Sequence, residues 1–134
     1  MKTLQAVLDI NVLVSALWTP AGSAAEILEL VLTEKIIPCF DDSILDEYRN
    51  VLSRPRLALP KPVFNALIRE ITNKGISISI YPGKINFKDE ADRKFYDTAK
   101  FYEAYLVTGN TRHYPKEPMV VSPTKFLKIY RKNL

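Results

Sequence analysis

Apolar positions recur along this chain with two different periods. Leu4 to Ile10 is a short apolar run, interrupted by Gln5, that predicts a buried strand, and Ile36 to Phe40 predicts a second. Ile27, Leu28, Val31 and Leu32 follow at helical spacing behind Ser23-Ala-Ala-Glu26. That tetrad fits a capping box, in which the serine accepts a helix N–H and the glutamate reaches back. From Ser43 onward, Ile44, Leu45, Tyr48, Val51 and Leu52 share one helical face. Val63, Phe64, Leu67, Ile68 and Ile71 form another stripe, and Gly75 is placed to end it. Ser77 to Tyr81 alternates and predicts a strand. Asp92 to Tyr102 predicts a helix with Phe95, Tyr96 and Ala99 inward. Tyr105 to Thr108 predicts a strand running into Gly109, Met119 to Val121 a last strand, and Thr124 to Arg131 a final helix.

Strands separated by helices predict an α/β sandwich with a mostly parallel sheet and right-handed crossovers. There is no internal repeat and no low-complexity tract, and the proline-rich stretch Arg54 to Pro62 is short enough to be a loop. Residues 1–134 are therefore expected to form a single domain. In such sheets ligands bind at the carboxyl ends of the strands, where the strand order reverses. That rule directs attention to Asp9 and Asn11 after the first strand, and to Gly109, Asn110 and Thr111 after the fourth.

Composition adds limits rather than a function. With 47% hydrophobic and 25% charged residues the chain reads as an ordinary globular protein. No stretch approaches the roughly 20 apolar residues that span a bilayer. Neither membrane association nor a signal peptide is expected. The single cysteine, Cys39, fits a cytoplasmic protein and a buried strand end. A net charge of +4 is compatible with a polyanionic partner without requiring one.

Asp9 is the sharpest chemical feature, because a carboxylate at the rim of a buried strand needs a metal, a hydrogen-bond cluster or a cation. The simpler alternative is a helix cap for the residues that follow. Glu47 falls at the edge of an apolar helix face, beside Ile44 and Val51, while Asp46 turns further toward solvent. Asp92 shares a face with Phe95, Tyr96 and Ala99 at a helix N-terminus, where the dipole stabilises its ionised form. Asp97 lies about 140° around that helix from Asp92 and is secondary. Leu106-Val-Thr-Gly-Asn-Thr-Arg-His-Tyr-Pro115 makes a tight turn that brings Asn110 and backbone N–H groups to a strand tip. His113, the only histidine, and the neighbouring Arg112 could hold a phosphate. Oxygen ligands with little sulfur or imidazole favour Mg²⁺ or Mn²⁺ over zinc.

Four segments, Asp9-Ile-Asn11, Ile44 to Pro55, Asp92 to Ala99 and Leu106 to Pro115, resemble in that order the PIN domain. The likeness is to the branch described as toxin components of toxin–antitoxin systems. It implies a five-stranded sheet of order 3-2-1-4-5 flanked by helices, and an acidic pocket binding Mg²⁺ or Mn²⁺. It further implies a single-stranded RNA substrate, a small antitoxin partner and self-association as a homodimer. By motif position Asp9, Glu47 and Asp92 are the acidic metal ligands, and Asn110 takes a fourth position that is often aspartate. Asn11 and Thr108 are expected to support the ligands by hydrogen bonding. Arg112, His113 and Lys94 are expected to attract the RNA, with Tyr114 or Trp18 either stacking a base or packing. The family pattern is broken at Ile10, where a hydroxyl residue is common, and at Asn110, which removes one charge.

The expected activity is phosphodiester hydrolysis by a metal-activated water. The alternative is a catalytically weakened PIN fold that binds RNA or protein, which Asn110 favours. A receiver-type phospho-acceptor would need an aspartate at the tip of the third strand, where Ile80-Tyr-Pro-Gly83 offers none. A haloacid-dehalogenase-type phosphatase needs a second aspartate at position 11, which is asparagine.

Overall fold

The computed structural model describes residues 3–77 and 92–134. Strand β1 (Leu4–Leu8) leads into helix α1 (Ile10–Trp18), then α2 (Ser23–Leu32), β2 (Ile36–Phe40) and α3 (Asp42–Leu52). After a 3₁₀ turn at Pro55–Leu57 come α4 (Lys61–Lys74), β3 (Ile76–Ser77), α5 (Arg93–Tyr102) and β4 (Tyr105–Val107). A second 3₁₀ turn, Thr111–His113, precedes β5 (Val120–Val121) and α6 (Pro123–Lys132). All four strand pairings are parallel, in the order β3-β2-β1-β4-β5. The five-stranded parallel sheet, its order and its flanking helices thus match the fold class read from the chain. The rest of the alternating stretch expected as a strand from Ser77 to Tyr81 lies outside the described residues.

β1 is central, and Ala6, Val7 and Leu8 are almost wholly buried, which is why this strand reads as a continuous apolar run. The chain builds β1, β2 and β3 outward in one direction, then returns to place β4 on the other side of β1. The reversal puts a crevice between the carboxyl ends of β1 and β4. Helix α5 lies against β1, β2 and β4, and α3 packs against α5, β2 and α1. Both helices therefore deliver residues toward the β1 tip.

Two local expectations are corrected. The capping box at Ser23 does not form: Gly22 holds the cap position without a side-chain bond. Ser23 Oγ instead meets Thr124 Oγ1 at 3.3 Å, and Glu26 Oε2 accepts from Arg131 at 2.8 Å, so α6 claims both side chains. Gly75 ends α4, but in extended rather than left-handed conformation, with φ −104°. Its need is space, since a Cβ there would lie 2.4 Å from the Pro38 carbonyl oxygen and 2.6 Å from the Phe40 ring. Where a cap was not singled out from the chain, one forms: Asp41 accepts from Ile44 N at 2.8 Å and starts α3 one residue before Ser43.

Candidate active site at the strand tips

The peptide following β1 continues its ladder, with Asp9 N donating to Val107 O at 3.0 Å. Asp9 is thereby fixed at the crevice, and its residue is only 5% exposed. It occupies the cap position of α1 but makes no side-chain capping bond. The carboxylate turns the other way. Its Oδ2 accepts from Thr108 Oγ1 at 2.8 Å and Tyr114 Oη at 2.9 Å, and from Asn11 Nδ2 at the edge of bonding distance, 3.5 Å. Of the two readings, helix cap and clustered carboxylate, the contacts select the second.

Thr108 is the hub of this cluster. Completely buried at the end of β4, it donates to Asp9 and accepts from Asn110 N at 3.0 Å. Asn11 Oδ1 in turn accepts from Gly109 N at 2.9 Å. The turn after β4 does reach the site as expected, but these two N–H groups point at Thr108 and Asn11.

Glu47 and Asp92 come in from α3 and α5. Tyr48, next to Glu47, is buried and donates to Leu8 O, which ties α3 to the end of β1. Glu47 Oε1 lies 2.6 Å from Lys94 Nζ, with both side chains about four-fifths buried. Lys94, expected to meet RNA, is therefore engaged with a site carboxylate. Asp92 stands at the start of α5 with Oδ2 3.4 Å from His113 Nδ1, and His113 Nε2 is 3.0 Å from Asn110 Nδ2. A neutral imidazole accepting from the amide and donating toward Asp92 satisfies both contacts. Asp46 is exposed beside Arg49, and Asp97 lies 4.0 Å from Arg93. Both acids have cationic neighbours of their own.

One group reports on all three candidate ligands. Tyr114 is buried, and its phenol is pushed far above the usual range, first by burial and then by the charges of Asp9, Asp92 and Glu47. Tyr48 is raised as well, by burial and then by Asp9 and Glu47. Both hydroxyls stay protonated and remain donors. Tyr114 was foreseen as a stacking or packing residue; it is instead the second strong donor to Asp9. Trp18 is 59% exposed.

Among the described residues no three Asp, Glu, His or Cys side chains close around a single point as a ready cage. Mg²⁺, however, is ordinarily held by one or two carboxylates and keeps several waters. Asp9, Glu47 and Asp92, brought to the same end of the sheet by β1, α3 and α5, are the oxygen donors that could hold an ion in that water-rich manner.

The parallel sheet of order β3-β2-β1-β4-β5, with Asp9 at its switch point, has the fold class of the PIN domain. A family model of the PIN domain matches residues 5–112, and the chain belongs to that family. It is also 33% identical over 111 residues to an uncharacterized protein of Methanocaldococcus jannaschii, covering 80% of this chain and 71% of the relative. No solved structure matches the chain significantly. PIN domains are usually metal-dependent nucleases. No helix among the described residues is long and apolar enough to cross a membrane.

Proposed function

We propose that this protein is a Mg²⁺- or Mn²⁺-dependent endoribonuclease acting on single-stranded RNA, the toxin member of a toxin–antitoxin pair. The observation that carries the reading is Asp9, a buried carboxylate held at the switch point by two neutral hydroxyls, Thr108 Oγ1 and Tyr114 Oη. On this reading Asp9, Glu47 and Asp92 hold the ion. When bound, the ion lowers the pKa of water and neutralises charge on the phosphate. Thr108 and Tyr114 fix Asp9 Oδ2, leaving Oδ1 the oxygen without a bond to either hydroxyl. His113 faces Asp92 and is held from behind by Asn110, and Arg112, exposed on the same turn, attracts the phosphate backbone. An antitoxin that covers this edge and a homodimeric state complete the reading, which follows the branch of the family that the motifs resemble.

The test is cleavage of a labelled single-stranded RNA in Mn²⁺. Asp9→Asn keeps an acceptor for both hydroxyls and is expected to stay folded while losing cleavage. Undiminished cutting by that variant, or by wild type in excess chelator, refutes the proposal. A second reading, an RNA-binding module with weakened catalysis, is favoured by Asn110 and by the Lys94 ammonium on Glu47. It predicts no millimolar Mn²⁺ binding by calorimetry.

A further inference from the structure

Beside the strand tips runs a cleft of about 1030 Å³, bounded by the turn after β4, the segment leading to β5 and the start of α6. We propose that this cleft is the track for nucleotides flanking the scissile bond of a single-stranded RNA, with Arg112, Lys116 and Lys125 holding its phosphates. The assignment rests on reading the strand tips as a nuclease site.

Three observations carry it. The first is charge. Arg112, Lys116 and Lys125 all line the cleft and are solvent-exposed, against a single acid, Glu117, among the described residues. That acid is already engaged: Tyr96 Oη donates to Glu117 Oε2, and Lys100 Nζ lies 2.9 Å from Oε1. The cleft thus presents cations to a polyanion, while the adjoining tips present carboxylates.

The second is continuity. Tyr114 lines the cleft, and its hydroxyl bonds Asp9 at 2.9 Å. One aromatic side chain therefore forms the wall between the cleft and the candidate metal site. Arg112, on the same turn as Tyr114, lines the cleft on that side.

The third is the character of the walls. Pro115, Pro118 and Val120 contribute apolar surface between the cations. These walls offer riboses and base faces apolar contact, while the cations between them track the backbone, the part of single-strand binding that does not read sequence. The volume, at the upper end of the roughly 300–1,000 Å³ of small-molecule sites, is large enough for a few nucleotides.

The experiment is fluorescence anisotropy with a labelled single-stranded RNA of about ten nucleotides in chelator, so that binding is read without cleavage. Lys116→Ala/Lys125→Ala is expected to weaken binding about tenfold or more, and to reduce the slope of log K against log salt by roughly 1.4, at about 0.7 per single-strand phosphate contact. Lys61→Ala, exposed at the start of α4, controls for simple loss of positive charge and should leave binding as in wild type. Unchanged affinity and slope in the double variant overturns the proposal, as does a loss that Lys61→Ala reproduces. The two readings fail separately. Cleavage in Mn²⁺ with variants that bind normally removes the track and keeps the nuclease. Binding that depends on Lys116 and Lys125 without any cleavage keeps the track and removes the nuclease.

Discussion

Replacing Thr108 by valine keeps shape but deletes a hydroxyl that serves both sides of the site. Two losses follow from the geometry. Asp9 loses a 2.8 Å donor, and the Asn110 N–H loses its 3.0 Å acceptor. A hydrogen bond to a charged group contributes about 1.5–3 kcal/mol, and leaving a buried donor unsatisfied costs about 1–3 kcal/mol. Asn110 is only half-buried, so the lower part of the second range, about 1 kcal/mol, applies, for a total of roughly 2.5–4 kcal/mol. Tyr114→Phe removes only one donor from Asp9 and keeps the ring, so about 1.5–3 kcal/mol is expected. Thr108→Val should therefore be the more damaging, although its side chain is much the smaller. Against a total stability of about 5–15 kcal/mol both variants should still fold. Urea unfolding in chelator reads the difference, since a bound ion would add its own linkage. At about 3–5 °C per kcal/mol for a domain of this size, melting should fall by roughly 8–20 °C in the valine variant. A Thr108→Val protein within about 1 kcal/mol of wild type refutes the hub assignment. So does a Tyr114→Phe variant that is the less stable of the two.

Lys94→Met retains most of the stem but removes the ammonium that faces Glu47 at 2.6 Å. With that carboxylate released, Mn²⁺ affinity should rise up to about fivefold, the scale of about 1 kcal/mol for a partly exposed charge pair. Calorimetry that shows equal or weaker binding would overturn the idea that Lys94 competes for the site. Gly75→Ala drives a methyl into the Pro38 carbonyl and the Phe40 ring, where β2 pairs with β3. Overpacking of that kind costs about 1–3 kcal/mol, and a denaturation midpoint equal to wild type would show that β2 yields freely.

The skeleton of this fold is legible because buried parallel strands are apolar on both faces. Leu4–Leu8 and Ile36–Phe40 announce themselves without any knowledge of their neighbours. Asp9 is legible for the complementary reason, as a charge at the end of such a run. What the local pattern could not carry is how side chains from distant segments satisfy one another. Tyr114 stands 105 residues from Asp9, and within His-Tyr-Pro it looks like any aromatic on a polar turn. Only the placing of β4 beside β1 brings its hydroxyl to the carboxylate. The capping box failed in the same way, because Ser23 and Glu26 find Thr124 and Arg131 on α6. Lys94 is the most instructive case. Two residues beyond Asp92 on a charged helix, it reads as a cation open to RNA, and only the packing of α5 against α3 turns it onto Glu47. Periodicity shows which residues reach the edge of the sheet, because reach depends on the element's own geometry. It cannot show which of them neutralise one another there, because that depends on two elements at once, and at this site that pairing sets how much negative charge is left for an ion.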